Sequence, residues 1–214
     1  WRGKKRKAAF AIFVVSYTDH MKKVVIVHGW EGYPEEGWFP WLKKELETKG
    51  FTVIVPQLPD TDSPRIQKWV PALAASVATP DEETYFVGHS IGCQTIARYL
   101  EGLPEGRNVG GAVFVAGFFK HLKDLEDEED VRETEKHWFK TPLDLAKVRH
   151  HLRKSVAIFS DDDPWVPLDN QDDFRDKLGS EIIVQHNKGH FSGGRDGIME
   201  LPIVLEKILE ISSL

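Results

Sequence analysis

Thr84-Tyr85-Phe86-Val87-Gly88-His89-Ser90-Ile91-Gly92-Cys93-Gln94-Thr95-Ile96 is the stretch that decides the fold. Residues 84–87 form a short apolar run with the composition of a buried strand, and residues 91–100 carry helical spacing. The five residues Gly88-His89-Ser90-Ile91-Gly92 must therefore turn a strand directly into a helix. A turn this tight strains the backbone of its central residue and admits only small side chains two positions to either side. It also lifts the Ser90 hydroxyl above the sheet edge at a helix N-terminus. Unpaired N–H groups and the helix dipole favour developing negative charge there. Gly-x-Ser-x-Gly alone is common by chance; between a buried strand and a helix it marks Ser90 as a candidate nucleophile.

Outward from this turn the chain keeps the same rhythm. Residues 24–27 are a continuous β-branched run ending in His28-Gly29, as expected of a strand buried on both faces of a parallel sheet. Further strands are predicted at 51–55, 113–116, 156–159 and 182–185, and helices at 38–49, 66–77 and 202–211. Strands alternating with helices imply right-handed crossovers, a mostly parallel sheet and helices on both faces: a three-layer α/β sandwich. Without internal repeat or linker, residues 21–214 read as one α/β domain.

A serine at its ordinary pKa needs a base. His190, in Asn187-Lys188-Gly189-His190-Phe191, follows the last predicted strand and is the best placed of nine histidines. The acid that orients it is expected after a strand lying between the two. Ser160-Asp161-Asp162-Asp163-Pro164 meets that demand, with Asp163 the first choice and Asp162 the fallback. The order Ser, Asp, His is that of the α/β-hydrolase fold rather than of other serine hydrolase folds. Backbone N–H groups of Ile91 and of Trp30, in the His28-Gly29-Trp30-Glu31-Gly32 loop, are the candidate oxyanion donors. No Gly-x-Gly-x-x-Gly or Gly-Lys-Ser/Thr is present, which disfavours a nucleotide site. His186 and His190 have a spacing that suits one helix face, yet they lie on strand and loop, so no metal and no other cofactor is expected.

About 35 mostly charged residues between Phe118 and Lys154 break the rhythm. Glu126-Asp127-Glu128-Glu129-Asp130 reads as solvated surface, and Thr141-Pro142-Leu143-Asp144 as a helix start with Thr141 as N-cap. Trp138 and Phe139 admit two readings: walls of an acyl pocket in a segment overhanging the site, or anchors of that segment to the body.

The 214 residues are 41% hydrophobic and 29% charged, with a net charge of -6. Five of the 28 basic residues crowd into residues 1–10, so the remainder is more acidic still, which disfavours nucleic acid as a partner. Residues 1–20 combine this basic cluster with an apolar run and are expected to be a leader or vector-derived extension, His20-Met21 marking the junction. No apolar run approaches the roughly 20 residues of a membrane span. Cys93 is the single cysteine, which excludes an intrachain disulfide and suits a reducing compartment.

Residues 22–214 resemble the small α/β-hydrolases of the retinoblastoma-binding protein nine and YdeN-like family. The resemblance is carried by His28-Gly29, Trp38-Phe39-Pro40-Trp41-Leu42-Lys43-Lys44, Gly88-His89-Ser90-Ile91-Gly92-Cys93 and Val115-Ala116-Gly117-Phe118. Asp162-Asp163, Val166-Pro167, Gly189-His190-Phe191 and Leu201-Pro202-Ile203-Val204 complete it. It implies a compact cytoplasmic serine hydrolase with carboxylesterase-like action on small acyl substrates and Ser90, Asp163 and His190 as its triad. A reading from a different class is a protein-interaction module on a hydrolase scaffold, with a protein partner meeting Trp30, Trp38 and Trp41.

Overall fold

The computed structural model describes residues 21–125 and 129–213; the expectation for residues 1–20 lies outside them. Six strands, β1 (Lys23–Val27), β2 (Thr52–Ile54), β3 (Thr84–His89), β4 (Gly111–Val115), β5 (Ser155–Ser160) and β6 (Glu181–Gln185), form one sheet. Every pairing is parallel, in the order β2-β1-β3-β4-β5-β6.

Side chains alternate strictly across this sheet, as a period of two requires. On one face Val25, Val27, Phe86, Phe114, Ala157 and Phe159 are covered by α2 (Ile66–Val77), α3 (Ile91–Glu101) and α5 (Leu145–His151). On the other, Val24, Ile26, Val87, Val113, Val115 and Ile158 meet α1 (Phe39–Thr48) and α7 (Pro202–Ile211). Helix α7 holds on through Val204, Ile208 and Ile211 at helical spacing, all buried. Each such side chain contributes about 1.5–3 kcal/mol by leaving water. A short helix, α6 (Gly193–Asp196), lies between β6 and α7, and a π-helical turn (Asp173–Leu178) precedes β6.

The charged segment holds a helix that the sequence reading does not contain, α4 (Glu129–Lys140). Its apolar anchor is Trp138, 1% exposed, which packs edge-on against Trp69 and donates from Nε1 to Pro64 O at 2.9 Å. The Arg98 guanidinium from α3 donates to the carbonyls of Trp138, Thr141 and Pro142 at 2.7, 3.0 and 3.2 Å. It thereby ties the end of α4 to the body. The expected cap is corrected here. Thr141 Oγ1 donates back to His137 O and so finishes α4, whereas Asp144 caps α5 by accepting from Ala146 N and Lys147 N.

The strand order changes direction at β1: β2 lies on one side of it and β3 on the other. Loops leaving the carboxyl ends of two such adjacent strands diverge to opposite faces and open a crevice, the usual ligand position in open α/β sheets. His28-Gly29 leaves β1 and Ser90 leaves β3 at this point.

Candidate active site

Ser90 joins β3 to α3 with φ 54° and ψ -126°, a left-handed backbone that costs energy in a non-glycine residue. Close packing on all sides enforces it. A Cβ on Gly88 would meet Cys93 N at 2.9 Å, and one on Gly92 would meet Val27 O at 2.4 Å. Gly29 presses on the turn from β1, since a Cβ there would reach Ser90 Cβ at 3.2 Å. Ser90 N donates to Val115 O at 2.9 Å, locking the turn to the end of β4. Ser90 is 9% exposed, and its hydroxyl makes no hydrogen bond among the described residues. Ile91 stands at the first position of α3 and Trp30 in the loop after β1; neither N–H finds a hydrogen-bond partner among the described residues.

The three consecutive aspartates after β5 divide the work. Asp163, buried at 4% exposure, accepts from His190 Nδ1 at Oδ2 (2.8 Å) and from Trp165 N and Val166 N at Oδ1 (2.9 and 3.0 Å). Because a carboxylate oxygen accepts, Nδ1 carries a proton, so in the neutral ring the lone pair is on Nε2. Asp162, the fallback, instead accepts from Ser160 Oγ and Gly189 N, which holds its carboxyl below the usual range; it secures the loop before His190 rather than the ring. Asp161 pairs with His186 at 2.5 Å and is lowered chiefly by that bond. His190 itself is 5% exposed, with Trp165 edge-on at 4.9 Å between ring centroids.

Three further side chains belong to the site although only their neighbours announce them. His28 donates from Nδ1 to Gly29 O at 2.9 Å and accepts from Leu58 N at Nε2, fixing the glycine turn after β1. His89 donates from Nε2 to His190 O at 2.7 Å, while its buried Nδ1 has no partner. Glu36, half-buried, projects Oε2 over the same turn, 2.8 Å from where a Gly32 Cβ would stand. Burial raises its carboxyl, and His190 in its protonated form pulls the other way. Nothing in the Glu31–Glu36 stretch of sequence distinguishes this glutamate from its neighbours.

Burial, reinforced by repulsion from His190 when that ring is protonated, lowers the His89 pKa to about 3. A histidine depressed in the native state binds fewer protons there than when unfolded, so stability is lost as pH falls below about 6.5. Integrated to pH 4.5, His89 alone is expected to remove roughly 3 kcal/mol. Urea unfolding at pH 7 and 4.5 measures this loss, and His89→Gln should reduce the difference between the two pH values; an undiminished difference would assign the acid lability to other groups.

The expected interaction surface is not one continuous face. Trp38 is buried and donates from Nε1 to Phe191 O at 3.0 Å, so it joins the β1 loop to the His190 loop. Phe139 is half-buried against Phe118, at 5.6 Å between centroids. Among the described residues no cluster of three or more His, Cys, Asp or Glu is arranged to hold a metal ion, and no helix is long and apolar enough to cross a membrane.

A parallel sheet flanked by helices, with the serine turn and the Asp163–His190 pair at one rim, defines an α/β-hydrolase fold. The chain belongs to the serine hydrolase family, whose model matches residues 24–209. It is 31% identical to YdeN of Bacillus subtilis (strain 168) over 185 residues, which is 86% of this chain and 93% of that protein. The crystal structure of the B. subtilis ydeN gene product superposes with a TM-score of 0.82 at 30% identity, covering 91% of this chain and all of the other. Serine hydrolase RBBP9 of Rattus norvegicus is 29% identical over 172 residues, 79% of this chain and 87% of its own length.

Proposed function

We propose that this serine hydrolase cleaves small acyl esters through Ser90, His190 and Asp163, by way of an acyl-enzyme. The observation that supports it most is the buried Asp163–His190 pair at 2.8 Å, which leaves Nε2 unprotonated and at the same rim as Ser90. Ser90 Oγ attacks the ester carbonyl while His190 Nε2 takes its proton, and Asp163 steadies the imidazolium without itself being protonated. Hydrogen bonds between nucleophile and base commonly form only in the substrate complex, so a hydroxyl that is unbonded without substrate fits this role. The negative charge that develops on the carbonyl oxygen is met by the N–H groups of Ile91 and Trp30, reinforced by the positive end of α3. His190 then protonates the leaving alcohol, and a water activated by the same nitrogen releases the acyl group. No metal or cofactor has a step in this sequence.

Of the two aromatic residues considered for the acyl pocket, Trp138 is buried as an anchor. Phe139, half-buried against Phe118 just past the end of β4, is the one carried forward as a proposed wall. The acidic charge balance argues against a polyanionic partner, and the lone thiol of Cys93 agrees with a cytoplasmic setting.

Treatment with a fluorophosphonate probe, followed by peptide mapping, tests the nucleophile directly. The expected result is one adduct, on Ser90, with hydrolysis of p-nitrophenyl acetate and butyrate lost in proportion to labelling. An adduct on another residue, or turnover that survives full labelling, would remove the assignment.

A further inference from the structure

We infer that Asp196 is a positioning residue for the base: its carboxylate holds the main chain of His190 so that the imidazole is presented to Ser90. The inference rests on His190 being the base. Asp196 Oδ2 accepts three hydrogen bonds, from His190 N (2.9 Å), Ser192 N (2.9 Å) and Ser192 Oγ (3.1 Å). Its Oδ1 fills the space over Gly189, where an added Cβ would stand 2.4 Å away.

The segment needs such a tie. Asn187, Gly189 and Phe191 all have left-handed backbone, with φ of 55°, 54° and 59°. The two non-glycine members, Asn187 and Phe191, cost of order 1–3 kcal/mol each and persist only when their surroundings over-determine them. At His190 the surroundings act on both peptide groups. His89 Nε2 binds its carbonyl at 2.7 Å, and Asp196 binds its N–H. The helix that carries Asp196 also reaches the ring. Arg195 stacks over Trp165 at 4.6 Å, and Trp165 stands edge-on to the His190 imidazole. A charged acceptor makes bonds roughly twice as strong as a neutral one, and three converging on one oxygen fix where the imidazole begins. A displacement of about 1 Å in a reacting group costs about 10²-fold in rate.

The test compares Asp196→Ala, Asp196→Asn and Gly189→Ala with the wild type. In Asp196→Ala, kcat for p-nitrophenyl butyrate is expected to fall by roughly 10–100-fold with KM nearly unchanged, since the substrate does not touch this carboxylate. Asp196→Asn, whose amide oxygen can accept the same three bonds, should recover most of the rate. Gly189→Ala, which drives a methyl into the carboxylate and also strains a left-handed backbone, should lose at least as much rate as Asp196→Ala. The second readout is the downfield proton resonance of His190 Nδ1–H. It should persist in the wild type and in Asp196→Asn, and broaden or vanish in Asp196→Ala.

A kcat within twofold of wild type in Asp196→Ala would overturn the inference. So would equal losses in the Ala and Asn variants, tracking their melting temperatures, with the Nδ1–H resonance retained. A wild-type protein that neither hydrolyses esters nor takes the fluorophosphonate would instead sink the hydrolytic reading. The resonance, which needs no turnover, would still decide whether Asp196 positions His190.

Discussion

Asp163→Asn is expected to lower kcat by about 10⁴-fold while the protein stays folded. The magnitude follows from which oxygen does what. Oδ1 of Asp163 accepts from two backbone N–H groups, Trp165 and Val166, and Oδ2 faces His190 Nδ1. An asparagine must keep its oxygen toward the two N–H groups, because the flipped amide would set an NH2 against two donors. Each buried donor left unpaired costs about 1–3 kcal/mol. The amide NH2 is thus turned on His190, whose Nδ1 has to become the acceptor. The one remaining imidazole proton moves to Nε2, the nitrogen that should receive the serine proton. Steady-state hydrolysis of p-nitrophenyl butyrate, with circular dichroism as the check on folding, measures the effect. A variant retaining a tenth of the wild-type rate would show that Asp163 does not set the tautomer.

Gly92→Ala carries the largest expected loss of stability. The added methyl would stand 2.4 Å from Val27 O, 2.6 Å from His28 O and 3.1 Å from Val27 C. These are backbone atoms at and just past the carboxyl end of β1, where Val27 is paired with Gly88 of β3, the strand that leads into the same turn, so they have little room to move. Helix α3 would have to lift off β1 instead. Overpacking of this kind costs about 3 kcal/mol or more when the neighbours cannot yield. For a chain of this size that corresponds to a fall of roughly 6–12 °C in Tm. Gly194→Ala is the control, since no atom lies within 4 Å of its added Cβ; it should leave Tm almost unchanged. Because lifting α3 also withdraws the Ile91 N–H from the crevice, Gly92→Ala should lose activity even well below its melting point. A variant as stable as wild type would mean that the strand end yields after all.

The parts of the fold that the sequence makes legible are those where burial and periodicity agree. Residues 66–77 and 202–211 are helices over the full predicted extent, because Trp69, Leu73 and Val77, and Val204, Ile208 and Ile211, each fall on one buried stripe. All six strands appear where short apolar runs predict them, although only the central ones, β1, β3, β4 and β5, are buried nearly throughout, and the edge strand β6 is partly exposed. Helix α4 was not legible, because its sequence is dominated by charge and only Trp138 and its neighbours pack inward. The α5 cap was misread because Thr141 and Asp144 are both good N-cap residues. Only the three-dimensional demand of Arg98 for the Thr141 and Pro142 carbonyls separates them. At the candidate site, spacing brings Asp163 and His190 to notice, and the structure joins them by a hydrogen bond. His28 and His89 reach main-chain atoms 30 and 101 positions away. Asp196 and Glu36 act on the backbone or space of nearby turns whose conformation only the folded chain defines. None of these contacts leaves a side-chain pattern in the sequence.

The contact from Trp38 to the carbonyl of Phe191 spans 153 positions of the chain, and that from His89 to the carbonyl of His190 spans 101. Closing such long loops is slow compared with forming helices and hairpins, and synthesis proceeds from the N-terminus at about 5–20 residues per second. At this pace Ser90 leaves the ribosome about 5–20 seconds before His190, the base proposed for it. The rim that joins these loops is thus among the last regions of the molecule to be assembled, and on the proposed mechanism an unfinished polypeptide would be chemically silent.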